Sequence, residues 1–287
     1  MKLYSNYHFS EAYRESLIDL MKDPDHVVSP RGMEVRESMN VSFEIDPTSN
    51  LYLNEARSSQ NKYIAAELIW YFSGSNDSNF ISKYAKFWQS IANEDGTSNS
   101  AYGNLILSKM NDHGYTQYRW AFESLMRDPD SRQAVMHFNL PEHQYTTNKD
   151  FVCTMYGIFH IRNNKLNLSV FMRSNDAILG TPTDVAFFTV LQQQMHRHLK
   201  AEKYEDLELG KYYHYSNSYH VYDRHYDLID RMLSSDFKSD STPFLDSDLI
   251  SPQGVPNSEL LLLEHSNIED PSEFKEWIRS KIVPTNV

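Results

Sequence analysis

Residues 152–184, VCTMYGIFHIRNNKLNLSVFMRSNDAILGTPTD, decide the fold of this chain. Two runs rich in strand-forming side chains, residues 152–162 and 165–173, are separated by Asn163-Asn164, a dipeptide that favours the tight turn of a β-hairpin. The second run alternates between apolar and polar positions. It therefore predicts a strand with one buried face, formed by Leu166, Leu168, Val170 and Met172.

The residues that follow the hairpin predict a strand-to-helix connection with polar side chains at its ends. Arg173 falls on the face opposite the apolar one. Gly180-Thr181-Pro182-Thr183 is typical of a helix start, so Asp184 lies in the first helical turn, where an acid complements the helix dipole. A further strand is predicted around His220-Val221-Tyr222, with the histidine and the tyrosine on one face.

The N-terminal part of the chain has a different pattern. An apolar face at helical spacing predicts a helix over residues 10–22 with Ser10 as its N-cap, and a second helix over residues 61–72. Residues 25–36 are polar and indicate a loop, whereas residues 39–45 alternate like a strand. Helices followed by mixed sheet and helix indicate the α+β class, or a mixed α/β layer.

Length and composition set further limits. The 287 residues contain no repeat and no linker-like break, so we expect a single domain over residues 1–287. The net charge of −12 argues against direct nucleic-acid binding and against an anionic membrane surface. With one cysteine and no long apolar run or signal-peptide pattern, we expect a cytoplasmic protein without an intrachain disulfide. His196 and His198 indicate a solvated helix surface, and no metal site is expected.

Three side chains could carry chemistry, although each has a more ordinary interpretation. Cys153 taken alone is most often a small buried apolar residue, but as a thiolate it could act as a nucleophile. Glu67 beside an apolar helical stripe is usually solvated, but near a cleft it could move protons. Asp184 could be only a helix-start aspartate.

Seven strings of the sequence, taken in order, favour the chemical interpretation. They are Ala66-Glu67-Leu68-Ile69-Trp70-Tyr71-Phe72-Ser73-Gly74, Ala101-Tyr102-Gly103, Asp128-Pro129-Asp130-Ser131-Arg132, Cys153, Met172-Arg173-Ser174-Asn175-Asp176, Leu179-Gly180-Thr181-Pro182-Thr183-Asp184 and His220-Val221-Tyr222. Together they resemble thymidylate synthase and its pyrimidine hydroxymethylase relatives over about residues 10–230. The resemblance implies the thymidylate synthase-like fold, a large mixed sheet flanked by helices.

The resemblance also implies a mechanism. The Cys153 thiolate would add to C6 of a pyrimidine nucleotide, which makes C5 nucleophilic toward the one-carbon unit of 5,10-methylenetetrahydrofolate, the co-substrate. Arg173 would hold the phosphate, and its charge would lower the pKa of the thiol. Glu67 would handle protons, and the remaining contacts would divide between nucleotide (Ser174, His220, Tyr222, Tyr102) and folate (Trp88, Asp176).

Arg132 matches an arginine that reaches the phosphate in the partner subunit's active site. The resemblance therefore implies a homodimer with shared active sites. The family usually has a second arginine next, and this chain has Gln133 there. Arg31, in the polar N-terminal segment, is a candidate for the missing cation.

The pyrimidine is indicated by Asp184, where thymidylate synthases have asparagine. An amide fits the carbonyl and ring N–H of uracil, whereas a carboxyl can accept from the amino group of cytosine and share a proton with N3. Cys153-Thr154 in place of Pro-Cys-His, and Asn217-Ser218 in place of Gly-Asp, are similar to the phage-type deoxycytidylate hydroxymethylases. We therefore expect hydroxymethylation of dCMP at C5.

Several alternatives stay open at this point. They are C5 methylation of dCMP, a dUMP hydroxymethylase or thymidylate synthase activity, and a catalytically silent family member that acts as a binding subunit. Residues from about 236 to 287 diverge from the family's closing segment. Within them, Glu269-Asp270-Pro271-Ser272-Glu273-Phe274 could cap an added helix, and it stays open whether Val287 closes over the folate as the family's terminal residue does.

Overall fold

The protein is described by a computed structural model, in which residues 1–57, 61–242 and 248–265 are placed. The α-helices in these ranges are α1 (Phe9–Lys22), α2 (Asn61–Phe72), α3 (Ser78–Ser82), α4 (Phe87–Ile91), α5 (Gln117–Arg127), α6 (Thr181–Glu202), α7 (Tyr226–Ser234) and α8 (Ser258–His265). The strands are β1 (Lys2–Ser5), β2 (His26–Val28), β3 (Val35–Ile45), β4 (Leu51–Asn54), β5 (Val135–His137), β6 (Thr154–Arg162), β7 (Lys165–Met172), β8 (Asn175–Asp176), β9 (Glu208–Tyr222) and β10 (Phe237–Asp240).

A mixed sheet with the strand order β1-β3-β9-β7-β6-β5 forms the centre of the molecule, with β2 paired to β3 and β8 paired to β9. The β7–β9 and β1–β3 pairs are parallel, whereas β3–β9, β6–β7 and β5–β6 are antiparallel. Helix α6 packs on β7 and β9, and α1 packs on β3. The buried apolar side chains form one connected core. The observed α+β architecture confirms the fold class expected from the sequence.

The predicted hairpin is present, and its turn has the expected geometry. Asn163 and Asn164 adopt φ values of 51° and 59°, the left-handed conformation that a two-residue turn of this type requires. The predicted apolar face of β7 is buried at Leu166, Leu168, Val170 and Met172. The second predicted helix is also confirmed, since α2 spans Asn61–Phe72.

Three sequence-based predictions on local structure were wrong. Helix α1 begins at Phe9, so Ser10 lies inside it and contacts Ser239 rather than capping the helix. Residues 25–36 are not a continuous loop, because β2 pairs with the start of β3 along Glu37, Arg36 and Val35. All three residues of β2 are exposed. The strand therefore lacks the alternation of apolar and polar side chains that would have predicted it from the sequence.

The third error concerns the two histidines of α6. His196 and His198 are buried rather than solvated, because α6 is covered on more than one side. The Nε2 atom of His196 lies 2.8 Å from the carbonyl oxygen of Leu207, and Nδ1 of His198 lies 2.8 Å from the hydroxyl of Tyr118. Both side chains therefore have structural partners.

The described residues of the divergent C-terminal segment, 236–242 and 248–265, pack against the rest of the fold. Strand β10 pairs antiparallel with β4, and the backbone N–H of Leu249 donates to Oε1 of Gln194 on α6 at 2.8 Å. The helix predicted to begin within residues 269–274 and the terminal Val287 lie outside the described residues. No helix within residues 1–57, 61–242 and 248–265 is both long and apolar enough to cross a membrane.

Candidate active site

The β6–β7 hairpin brings the cysteine and the arginine together, although 20 residues separate them in the chain. Cys153 comes directly before β6 and Arg173 directly after β7, beside the paired residues Thr154 and Met172. The backbone N–H of Arg173 donates to the carbonyl oxygen of Cys153 at 2.9 Å. The two side chains therefore meet at the open end of the hairpin.

The Arg173 guanidinium is held against the thiol by backbone carbonyls. Its Nε donates to the carbonyl oxygen of Val152 at 3.0 Å, and its Nη2 donates to that of Phe151 and lies 3.5 Å from Sγ of Cys153. The guanidinium also lies 4.6 Å from the centre of the Phe151 ring. The fork is positioned by the chain itself before any ligand binds.

The thiol of Cys153 is nevertheless harder to ionise than an ordinary one. Burial raises the pKa of Cys153 to about 11, and the charge of Arg173 opposes this only in part. Arg173 lowers the thiol pKa as expected, but the loss of solvation outweighs this one cation. At neutral pH the free enzyme holds a protonated thiol.

Glu67 is 5% exposed on α2, so it is not a solvated residue on the flank of the helix. The hydroxyl of Tyr63, one helical turn earlier, donates to its Oε1 at 2.7 Å, and the indole N–H of Trp88 donates to the Tyr63 oxygen at 2.8 Å. Burial raises the pKa of Glu67 to about 7, although hydrogen bonds from Tyr63, Thr183 and Tyr71 oppose the shift. A carboxyl with that pKa can both take and give a proton near neutrality.

Asp184 is 9% exposed in the first turn of α6. The amide Nδ2 of Asn175 donates to its Oδ2 at 2.8 Å. Burial, reinforced by the charge of Glu67, raises the pKa of Asp184 well above its ordinary value. A Cβ at position 180 would lie 3.2 Å from Oδ2 of Asp184 and 2.9 Å from Nδ2 of Asn175. The hydrogen bond between these two side chains therefore requires glycine at this position.

The remaining nucleotide-side candidates lie where β8 meets the end of β9. Asp176 pairs with His220 in the parallel β8–β9 ladder, and the ring of His220 lies 5.3 Å from that of Tyr222. Ser174 is half-buried between β7 and β8. Burial, with the charges of Asp184 and then Cys153, raises the pKa of the buried Tyr102 hydroxyl.

The two candidate folate contacts, Asp176 and Trp88, are both held by the protein. Oδ1 of Asp176 accepts from the backbone N–H groups of Ile178 and Leu179 at 2.7 and 2.8 Å. Its Oδ2 makes no hydrogen bond to a described residue and can accept from a ligand. The indole N–H of Trp88 is already used by Tyr63, which leaves only its ring surface for a ligand.

The two arginines expected to add phosphate contacts lie on the surface. Arg132 is exposed in a cleft with Arg127 and Asp128, in the segment before β5. Arg31 is exposed in a tight turn between β2 and β3, with a φ of 54°. Neither side chain makes a hydrogen bond or ion pair to another residue in the described part of the chain, where no cluster of three potential metal ligands is found either.

Two residues that contact the predicted acids were not singled out from the sequence. Tyr63 is polar at the margin of an apolar helical stripe, and Asn175 lies inside a string that the family resemblance used only as a motif. Tyr63 precedes Glu67 by four residues on the predicted helix, and this spacing could have indicated that the two side chains are neighbours. For Asn175 the contact to Asp184 depends on the turn at Gly180, which spacing alone does not predict.

Since Cys153 is the only cysteine in the sequence, alkylation by iodoacetamide reports on one thiol. We expect the rate to rise about tenfold per pH unit, without a plateau, between about pH 7 and about pH 10, because the thiol pKa is about 11. Arg173→Gln should slow alkylation further at every pH. Arg162→Gln, at the other end of the hairpin, serves as the matched control and should have no effect. A plateau below about pH 9 would contradict the raised pKa.

The hydrogen bond from Tyr63 lowers the pKa of Glu67, so its removal should raise that pKa. We expect Tyr63→Phe to shift the Glu67 titration upward by about one pH unit, measured by carbon NMR of labelled glutamate and assigned with Glu67→Gln. The matched control is Tyr71→Phe, since the Tyr71 hydroxyl lies 3.5 Å from the same oxygen and should matter less. Equal shifts in the two variants would show that the Tyr63 contact is not special.

Comparison with known proteins agrees with this geometry. The sequence model of the thymidylate synthase family matches residues 11–252. Deoxycytidylate 5-hydroxymethyltransferase of Enterobacteria phage T4 is 34% identical over 217 residues, which are 73% of this chain and 85% of that protein. Deoxyuridylate hydroxymethyltransferase of Bacillus phage SP01 is 30% identical over 77% of this chain and 59% of that protein.

The fold has a solved counterpart as well. The structure of thermostable thymidylate synthase A from Bacillus subtilis superposes with a TM-score of 0.65 and covers 81% of this chain and 86% of that one, at 22% sequence identity. The sequence match and the fold lead to the same conclusion. The chain belongs to the thymidylate synthase family, whose members are one-carbon transferases that bind a nucleotide and use methylenetetrahydrofolate.

Proposed function

We propose that this protein hydroxymethylates dCMP at C5, with 5,10-methylenetetrahydrofolate as the one-carbon donor. The observation that carries the proposal is the buried carboxyl of Asp184 at the position where a uracil-specific family member has an amide. Burial raises its pKa and so favours the protonated carboxyl, which can accept from the amino group of cytosine and donate to N3. The relatives from phages T4, T2 and T6, each 34% identical, carry the name deoxycytidylate 5-hydroxymethyltransferase.

The nucleotide would be held from both ends. The Arg173 fork, preset by the carbonyls of Val152 and Phe151, suits a phosphate. His220 and Tyr222, at the end of β9, would hydrogen-bond the sugar hydroxyl, with Ser174 between sugar and phosphate. This arrangement directs the pyrimidine toward Cys153 and Asp184.

Addition of the thiol to C6 needs help, because the Cys153 pKa is about 11. The thiol first loses its proton to water, and when the resulting thiolate attacks C6, electron density moves to N3, which becomes basic. Asp184 can give its proton to N3 at that moment and recover it when the sulfur leaves. A buried acid with a raised pKa therefore compensates for a poorly ionised nucleophile.

The last steps require a group that handles protons at C5. Methylenetetrahydrofolate supplies the carbon that becomes attached to C5. Glu67, with a pKa of about 7, can then take the C5 proton, pass it to the nitrogen of the departing tetrahydrofolate and, as a carboxylate again, activate the water that adds to the new carbon. Tyr63 and Trp88 fix the carboxyl in one orientation through their hydrogen bonds.

The residues on the folate side suit a flat heterocycle with polar edges. Oδ2 of Asp176 is available as an acceptor, while Oδ1 anchors the side chain. Leu179 of the same turn is 51% exposed and gives apolar surface beside that acceptor. Trp88 contributes ring surface rather than its N–H.

We also propose a homodimer with shared active sites. One face of the sheet carries stacked rings that are only half-buried, with Phe171 4.6 Å from Tyr156 and 4.5 Å from Tyr215. A second copy would cover this ladder. Arg132, exposed and without a partner among the described residues, would then reach the phosphate held by Arg173 of the other subunit, with Arg31 as a further candidate cation.

A second candidate function is hydroxymethylation of dUMP. The 30% identity to the SP01 deoxyuridylate hydroxymethyltransferase favours it, since that protein belongs to the same family. The carboxyl of Asp184, in place of an amide, argues for cytosine. The two candidates, and methylation in place of hydroxymethylation, are separated by one assay.

We expect mass spectrometry of products from dCMP, CMP and dUMP, each with methylenetetrahydrofolate, to show a gain of CH2O on dCMP. Asp184→Asn should shift the kcat/KM ratio of dCMP to dUMP toward dUMP by at least about tenfold, because an amide matches the polar edge of uracil. Asp206→Asn, at an exposed position, is the matched control and should leave the ratio unchanged. A gain of CH2 would indicate methylation, and wild-type preference for dUMP would refute the role of Asp184.

Shared sites predict complementation between two inactive variants. Cys153→Ala and Arg132→Glu, mixed in equal amounts after reversible unfolding, should recover about a quarter of the wild-type activity, because half of the dimers are mixed and each has one intact site. Each variant alone should be inactive or nearly so. A mixture no more active than the Arg132→Glu variant alone would show that each chain completes its own site.

A further inference from the structure

A chain of hydrogen bonds runs through the core and ends on Asp184. The Tyr212 hydroxyl lies 2.8 Å from Nδ1 of His214, and Nε2 of His214 lies 3.0 Å from Oδ1 of Asn175. Nδ2 of Asn175 then donates to Oδ2 of Asp184 at 2.8 Å. Tyr212 and His214 are fully buried, and Asn175 is 2% exposed.

The donors and acceptors in this chain have one consistent direction. Oδ1 of Asn175 also accepts from the hydroxyl of Thr181 at 2.6 Å, so the amide oxygen faces away from Asp184. Because an amide oxygen can only accept, Nε2 of His214 carries the proton. Burial lowers the pKa of His214 to about 3, so the ring is neutral and its bare Nδ1 accepts from Tyr212. Every hydrogen bond therefore points toward Asp184.

This direction matters because a protonated carboxyl is ambiguous by itself. With the proton on one oxygen it matches cytosine, which offers an amino donor and an unprotonated N3. With the proton on the other oxygen it matches uracil, which offers a carbonyl and an N–H. The substitution of aspartate for asparagine at position 184 thus permits cytosine without excluding uracil.

Asn175 removes the ambiguity. The carbonyl oxygen of a carboxylic acid is a better acceptor than its hydroxyl oxygen, so a donor fixed on Oδ2 favours the proton on Oδ1. We propose that Asn175 is a specificity-determining positioning residue that keeps Oδ2 of Asp184 as the acceptor for the cytosine amino group and Oδ1 as the donor to N3. This inference rests on the proposed function, since it assigns the device that selects its substrate.

His214 and Tyr212 act one step further away. If the Asn175 amide rotated by half a turn, its oxygen would face Asp184, and its NH2 group would face Nε2 of His214, which carries a proton. Two donors would then meet. The neutral His214, held in one tautomer by Tyr212, therefore holds the amide in the orientation that selects cytosine.

The test measures kcat/KM for dCMP and for dUMP in Asn175→Leu, which keeps the side-chain size and removes the hydrogen bonds. The dCMP-to-dUMP ratio should fall about ten- to hundredfold, in line with the loss of a hydrogen bond to an ionisable group. In the Asp184→Asn background, Asn175→Leu should cause no further fall in the ratio. This coupling is specific to the proposed role.

Asn50→Leu is the matched control. Asn50 is fully buried and hydrogen-bonded to Thr189 and Thr242, and none of its hydrogen bonds involves the candidate site. Its loss should lower stability and the activity toward both nucleotides together, with the ratio unchanged. His214→Phe is the second variant, in case Asn175→Leu does not fold, and should lower the ratio several-fold because it releases the Asn175 amide.

The outcomes are distinguishable. A wild-type enzyme that does not prefer dCMP would refute the proposed function itself. If the wild type prefers dCMP, and a folded Asn175→Leu or His214→Phe variant loses activity toward both nucleotides equally, the selection does not depend on Asn175 and the inference is overturned. A fall in the ratio that persists in the Asp184→Asn background would also overturn it, since Asn175 would then act by another route.

Discussion

The register of the β6–β7 hairpin is the constraint on which the site depends. The turn at Asn163 and Asn164, both in the left-handed conformation, pairs Arg162 with Lys165 and, at the other end, Thr154 with Met172. A slip of one residue would invert every side chain on one strand. It would separate the thiol from the guanidinium and place the apolar face of β7 on the wrong side of the sheet. The two-residue turn at one end of the hairpin, together with a one-residue register shift between Thr154 and Tyr156, thus sets the chemistry at the other end.

The site buries two carboxyl groups close enough for their charges to interact, and this determines how it works. Taking a carboxylate out of water is unfavourable unless hydrogen bonds or opposite charges replace the solvent. Glu67 receives a donor from Tyr63, Asp184 receives one from Asn175, and no cation is among the causes that shift either pKa. Both groups therefore respond by holding a proton more tightly, and the pKa of Glu67, about 7, makes it a usable acid at neutral pH.

Much of the fold and part of the site could be predicted from the sequence. The hairpin and helix α2 have strong periodic patterns, and the buried face of β7 follows from alternation alone. The exposed edge strand β2 was missed because it is held by backbone pairing that leaves no side-chain pattern. The burial of His196 and His198 was missed because nothing in a local sequence window indicates that α6 is covered on more than one side.

Electrostatics was the least predictable part, since it depends on burial as much as on neighbours. Arg173 beside Cys153 suggested an easily ionised thiol, but the same packing that positions the guanidinium also removes water from the sulfur. A phosphate bound at Arg173 would neutralise the one cation that favours the thiolate. Nucleotide binding therefore cannot activate the sulfur by charge alone, and the compensation has to come from the base. In the proposed reaction, proton donation from Asp184 to N3 would provide it, so the group proposed to recognise cytosine would also make its C6 open to attack.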